Sequence, residues 1–255
     1  MRLPLLISIL GLGGSLALPG AMRFDGSDDI LHWDGAPAGL NFTNEITVSV
    51  WLNKEAGLAA SAEFIGKGRL KNGNNLHWSL RNSSGKYEWN YAAPNATFHN
   101  FTTTATFLQT NVWQHIVVRW RTADSNTCNI YVDGSRVAGA WTANPVNSAM
   151  LTNNEPMRIG TTYAGSTTRG SIQEAAVWNA YLEEDEICAL AKSRTRGTPL
   201  TIRRPALRGY WPLAREFPFF STASGSNAML DLSGYGQHLT PLNSPQMRPG
   251  HLAVP

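Results

Sequence analysis

Between Glu45 and Leu52 the side chains alternate without a break, with Ile46, Val48, Val50 and Leu52 on one side and Thr47, Ser49 and Trp51 on the other. Successive side chains of an extended chain point to opposite faces, so a period of two marks a strand with one face turned to a core. Strand-like runs recur at Ala62 to Lys67, Leu76 to Arg81, Lys86 to Tyr91, Pro156 to Gly160 and Gly170 to Asn179. Val112 to Arg121 sets Ile116, Val118 and Trp120 against Trp113, His115 and Val117, which predicts cover on both faces. From Cys128 to Val137 two alternating runs flank Asp133-Gly134, a pair that tolerates the positive φ angles of a two-residue hairpin turn. Close-spaced strands separated by turn signals predict an all-β, antiparallel two-sheet sandwich.

Composition agrees. Hydrophobic residues at 42% and charged ones at 15% are too apolar for a disordered chain, and 23 Gly with 14 Pro break up any helical bundle. One short helix stands out: Glu183, Glu184, Asp185 and Glu186 open it, Ile187, Leu190 and Ala191 form its apolar stripe, and Lys192 and Arg194 close it. Acidic start and basic end both oppose the helix macrodipole, so the acidic run reads as helix-start chemistry rather than a metal or catalytic cluster.

Three segments follow. Residues 1–21 form an apolar leader or assembly arm: Arg2, then an apolar run from Leu3 to Leu18 with Ser15-Leu16-Ala17 at a spacing suited to signal peptidase. The run falls short of a bilayer span. A retained arm would have to be buried, under the sandwich or in a neighbouring subunit. Residues 22–198 hold the main sandwich. Residues 199–255, after a Pro- and Arg-containing connector, carry Leu207 to Leu213 and Asp231 to Thr240, too few strands for a separate core, and must dock on the same or a neighbouring sandwich. Arm and tail together predict self-association.

A net charge of +3 with one local basic cluster (Lys192, Arg194, Arg196, Arg203, Arg204, Arg208) and no aromatic-basic motif argues against nucleic-acid binding. Two cysteines, Cys128 and Cys188, make no disulfide framework, and Cys128 shares a strand face with Ile130 and Val132, which predicts a buried thiol. Asn-x-Ser/Thr sequons at Asn41, Asn82, Asn95 and Asn100 matter only in a eukaryotic secretory host.

Several pieces in order resemble laminin-G-like jelly rolls of the concanavalin A-like superfamily. They are Phe24-Asp25-Gly26-Ser27-Asp28-Asp29, Ile46 to Trp51, Trp113-Gln114-His115-Ile116-Val117-Val118, Ile130-Tyr131-Val132-Asp133-Gly134, Ile159-Gly160, and Gly170 to Asn179 followed by the acidic-start helix. The tail, Leu207 to Leu213 with Asp231-Leu232-Ser233-Gly234-Tyr235-Gly236-Gln237-His238-Leu239-Thr240, is similar to the strand pair that often begins such domains. In its order after a basic connector it also resembles proteins of tailed phages and environmental viral sequences. The resemblance implies a jelly roll with one short helix and a C-terminal strand-pair extension. It also implies a structural calcium held by Asp28 or Asp29 with Glu174, weakened because Gln173 stands where the family often has Asp; turn hydrogen bonds from Asp28 and Asp29 are the competing reading.

The fold also hosts glucanases. A retaining glycosidase needs two carboxyl groups about 5 Å apart, which a strand supplies as Glu-x-Asp-x-x-Glu. Glu183-x-Asp185 is the nearest match, but Cys188 stands in the last position and the segment reads as helix. Nucleophile-elbow, zinc-protease and phosphate-loop motifs are absent. His115, mid-strand, reads as a packed histidine. Trp51, Trp113, Trp120 and Trp178 lie in strands and read as packing, while Trp33, Trp141 and Tyr163, beside Gly, Asn, Thr and Ser, are the candidate ligand-binding aromatics.

These expectations converge on a non-enzymatic surface-binding protein of a virion surface or the extracellular space. The first reading is a phage virion component, head decoration or tail adhesion, that associates with itself or with other virion structural proteins. The alternative is a secreted or cell-surface carbohydrate-binding module for surface glycans, and a glycoside hydrolase ranks last.

Overall fold

The computed structural model describes residues 20–33, 38–68, 76–95, 97–122, 127–143, 148–161, 166–192, 198–214, 220–221 and 227–249. Nearly all of the predicted leader and Tyr163 lie outside the described residues. Among the described residues no helix is long and apolar enough to cross a membrane.

Two eight-stranded antiparallel sheets make a sandwich. The first runs through β10 (Ser135–Val137), β9 (Asn129–Val132), β8 (Trp113–Arg121), β3 (Glu45–Lys54), β13 (Arg169–Trp178), β1 (Gly20–Asp25) and β18 (Gln246–Pro249), with β14 (Leu207–Trp211) also paired to β13. The second runs through β11 (Gly139–Ala143), β7 (Phe98–Thr103), β6 (Lys86–Ala92), β5 (Leu76–Ser83), β4 (Glu63–Gly68), β12 (Met157–Ile159), β2 (Ile30–Trp33) and β17 (Thr240–Leu242). A small pair, β15 (Phe220–Ser221) and β16 (Asn227–Ala228), stands apart, and α1 spans Glu184–Lys192. The chain changes sheets at both rims in a few residues: through Ala138 between β10 and β11, and through Asn243, Ser244 and Pro245 between β17 and β18.

The alternation read from the sequence becomes the core. Ile46, Val48, Val50 and Leu52 face Trp78, Leu80, Trp89 and Tyr91 across the sandwich, with the Tyr91 and Trp120 rings 4.7 Å apart. Trp78, Trp89, Trp120 and Trp211 are fully buried. A buried aromatic of this size removes on the order of 150–250 Å² from water, which at about 25 cal/mol per Å² stabilises the fold by roughly 4–6 kcal/mol before entropy is counted.

Local chemistry agrees with the packing. Asp133 and Gly134 take φ of 51° and 78°, the geometry expected of the hairpin turn, and the Asp133 carboxylate accepts the His115 backbone N–H at 2.8 Å. Glycine is needed at 134 for a second reason: a Cβ there would stand 3.0 Å from the Ala191 Cβ of α1. That helix packs Ile187 and Leu190 onto Val117, Tyr131, Trp178 and Leu207, the outward residues at one end of the first sheet. Glu186 reaches back to the Glu183 N–H at 2.7 Å, as in a capping box. Glu184 accepts from Arg119 and Tyr131, and Glu186 from Arg203. The acidic run therefore caps and anchors the helix. Cys128 is buried and Cys188 partly so; both are free thiols.

The tail strands pair within the chain. β14 lies on β13, β17 on β2, and β18 on β1 with Gly20 opposite Pro249. One edge of β13 is therefore shared, β1 covering residues 169–172 and β14 residues 175–178. Glu174 sits at the changeover with φ 51°, in a bulge that also shifts the register against β3.

Candidate functional site

Alternation decides which residues leave the core, and the cover laid over them decides which stay accessible. On the outer face of the first sheet α1 covers the end holding Thr47, Val117 and Trp178. Toward the opposite end the face opens. Register pairs place Trp113, Asn53, Ser171, Arg23 and Gln246 in one cross-strand row. The next row holds His115, Trp51 and Gln173, with Trp51 tilted over His115 at 5.0 Å and the His115 ring within 2.8 Å of the Ser49 hydroxyl.

At the open end lies a recess of about 440 Å³ lined by Arg23, Asn53, Glu55, Asn111, Trp113, Ser171 and Arg248. Trp113 is half-buried. Val112 beside it is 43% exposed, an apolar lip. Arg23 grips Glu55 with two bonds, Nε to Oε1 at 2.5 Å and Nη2 to Oε2 at 2.7 Å. This pair holds the Glu55 carboxyl below the usual carboxylate range, helped by the nearby charges of Arg169 and Arg248. The side chains of Asn53, Asn111 and Ser171 make no hydrogen bond to any described residue. Uncommitted amides and a hydroxyl beside an indole and a planar ion pair suit a polar ligand with a flat apolar face.

The predicted calcium residues are not brought together. Asp28 and Asp29 cluster with Asp25, their carboxylate oxygens within 4.8 Å of one another. Glu174 lies five residues along β13 from Arg169, the partner of Asp25, or roughly 16 Å at the usual strand rise. It instead accepts the Tyr210 hydroxyl at 2.5 Å, steadying the β1-to-β14 changeover. Within the aspartate group, Asp29 accepts the Asp25 N–H at 2.9 Å and Asp25 accepts the Ser27 N–H at 2.7 Å, while burial pushes the Asp29 carboxyl above its usual range. The Gly26 and Asp28 carbonyls accept from Thr167 and Asn243. With these oxygens already committed to the turn, few remain of the six to eight that calcium takes. Chelation with EDTA is expected to leave the melting temperature unchanged; a drop of several degrees restored by calcium would assign the cluster to the ion.

Two of the three candidate ligand-binding aromatics can be placed. Trp33 and Trp141 are strand residues, not loop residues, and both pack against the core. Trp141 stands edge-on to Phe101, 5.4 Å between centroids, at one rim of the second sheet, and Trp33 lies near the other rim. Trp51 and Trp113, read from sequence as packing, are half-exposed as well, in the same degree as Trp33 and Trp141. The signal available was the even spacing that put them opposite Val50 and Ile116.

Among the described residues, the outer face of the second sheet carries two carboxylates, Glu63 and Glu88. Glu63 and Glu88 both flank Arg81, one strand to either side, which separates them by about 10 Å. Glu88 is held by Arg81 at 2.7 Å and by the Thr102 hydroxyl at 2.8 Å. The separation exceeds the roughly 5 Å of a retaining glycosidase pair.

Two facing sheets with a helix over one end and a polar, tryptophan-edged recess at the other define a lectin-like β-sandwich. The laminin G-type family model of the concanavalin A-like lectin/glucanases superfamily matches residues 25–188, and the chain belongs to that family. Among solved structures it is similar to a candidate carbohydrate-binding protein from Bacteroides ovatus (18% identity, TM-score 0.64, 91% of this chain and 60% of that one). It is also similar to the heptameric SAP-like pentraxin of Limulus polyphemus (11% identity, TM-score 0.54, 92% and 97%). The binding domain of Paraclostridial Mosquitocidal Protein 1 follows (16% identity, TM-score 0.51, 67% and 42%). At these identities the likeness concerns the fold, and the chain spans about 60% of the length of the Bacteroides protein. No curated protein sequence matches it.

Proposed function

We propose that the chain is a non-catalytic module that binds glycans at a surface. The observation that carries this reading is the recess beside Trp113, where three polar side chains without hydrogen-bond partners among the described residues meet a half-exposed indole. A sugar ring offers the matching chemistry, hydroxyls in its plane and C–H groups on its face. The carbohydrate-binding description of the Bacteroides relative supports the same class of ligand. The separation of Glu63 from Glu88, and the ties on Glu88, favour binding over hydrolysis.

The setting in which the module is displayed rests on the tail resemblance, which favours a virion surface, as head decoration or tail adhesion, over a free secreted protein. The described tail strands are engaged in cis, so interlocking of neighbours through them has no support from the fold.

Calorimetric titration with a panel of neutral and acidic oligosaccharides tests the reading. Binding to at least one of them is expected, with Trp113→Ala weakening it about tenfold, the loss of one stacking contact, at an unchanged melting temperature. Absence of binding across the panel, or cleavage of any of its members, would refute it.

A further inference from the structure

The charges around the recess point to one kind of glycan. Three guanidinium groups surround a single carboxylate: Arg23 is bonded to Glu55, Arg169 Nε lies 4.0 Å from Glu55, and Arg248 lines the recess. The Arg23–Glu55 pair is satisfied at Nε and Nη2, which leaves Nη1 of Arg23 without a hydrogen bond among the described residues. Arg248 is exposed, and among the described residues its one side-chain bond goes to the side-chain oxygen of Gln246 at 3.1 Å. Two arginines with free N–H donors thus converge on one pocket that contains one carboxylate, already matched. The excess positive charge sits among the uncommitted Asn53, Asn111 and Ser171.

Resting on the glycan-binding reading above, we propose that this recess selects sugars bearing a carboxylate, with Arg248 and the free edge of Arg23 receiving the acid while the ring lies against Trp113. A guanidinium presents parallel N–H donors that match a carboxylate's two oxygens, and such charge-assisted pairs are the stronger hydrogen bonds. Asp25, Asp28 and Asp29 do not line the recess but stand beside it at the β1–β2 turn. They repel an anion approaching from that side, so the acidic group enters over Arg248.

The test uses oligomers of pectate, alginate and hyaluronan, each beside its carboxyl-reduced counterpart, which keeps the sugar stereochemistry and removes the charge. Titrations compare the whole chain with the Arg248→Gln and Trp113→Ala variants. At least one acidic oligomer is expected to bind ten- to a hundredfold more tightly than its reduced form, roughly the range of one charge-assisted pair. Arg248→Gln closes that gap and leaves the reduced form's affinity unchanged, whereas Trp113→Ala weakens both. Reduced forms that bind as tightly as the acids, or a gap that survives Arg248→Gln, overturn the selectivity and leave glycan binding standing. Binding to neither form overturns the selectivity, and glycan binding itself is then decided by the wider panel of neutral and acidic oligosaccharides.

Discussion

Replacing Asp231 by Ala is expected to cost about 3–5 kcal/mol of folding stability and to loosen the C-terminal segment from the sandwich. The carboxylate is buried and accepts four hydrogen bonds, from the Tyr210 and Ser233 backbone N–H groups on Oδ1 at 3.0 and 2.9 Å, and from the Ser233 hydroxyl and Gln237 N–H on Oδ2 at 2.8 and 3.0 Å. It therefore joins strand β14 to the 231–237 turn, and Trp211, next to Tyr210, donates its indole N–H to the Gln237 carbonyl at 2.7 Å. Alanine strands several buried donors at 1–3 kcal/mol each. Asp231→Asn keeps one acceptor oxygen and should lose about half as much. Urea unfolding measures both, as a lower midpoint at constant slope; a loss below about 1 kcal/mol for the alanine variant would mean that water or a rearranged turn replaces the carboxylate.

The second large effect appears with acid. His77 is fully buried with its Nε2 donating to the Phe42 carbonyl at 2.7 Å, and burial, reinforced by the charge of Lys67, pushes its pKa from 6.5 down to about 3. The folded state then takes up this proton only near pH 3, whereas the unfolded chain takes it up near 6.5. Stability is accordingly flat above 6.5 on this account and falls as pH drops through 6.5 toward 3, by about 3 kcal/mol at pH 4. Lys67, buried with its amine on the Asn153 carbonyl and side-chain oxygens, is pushed down to about 7, so its own contribution changes between 10.5 and 7, outside that window. His77→Gln keeps a donor in reach of Phe42 without the titration. Its stability curve should part from that of the unmodified chain between pH 6.5 and 4, and parallel curves would remove His77 from the acid response.

Much of this architecture was legible in the chain. The run at Glu45 gave β3, the Asp133-Gly134 pair gave the β9–β10 turn, and the acidic start gave α1. Strand β7 was missed because its sequence, Phe98 to Thr103, is mostly His, Asn and Thr. Its outer face carries Phe98 beside Asn100 and Thr102, and its core face His99 and Thr103 beside Phe101, so alternation is faint. The accessibility of the outward tryptophans was hidden for a different reason: period two tells which residues share a face, not whether another layer covers it. Trp178 and Trp113 both point out of the first sheet, yet Trp178 lies beneath the 200–206 segment with its indole N–H on the Ile202 carbonyl at 2.8 Å, and Trp113 stands beyond the cover. Trp33 and Trp141 lie in strands although their Gly- and Thr-rich neighbours resemble a loop. The Glu174 bulge left no mark in the sequence, because it arises where one strand exchanges two partners.

The sheet-switching corners at Ala138 and at Asn243 to Pro245 also govern how copies of this molecule can crowd together. Each of the four outermost strands is only three to five residues long, so along the described sheet edges an incoming chain finds little unpaired backbone on which to zip. Dense display, on a particle coat or a cell envelope, would then bring copies into contact through side chains, contacts that salt and pH can loosen.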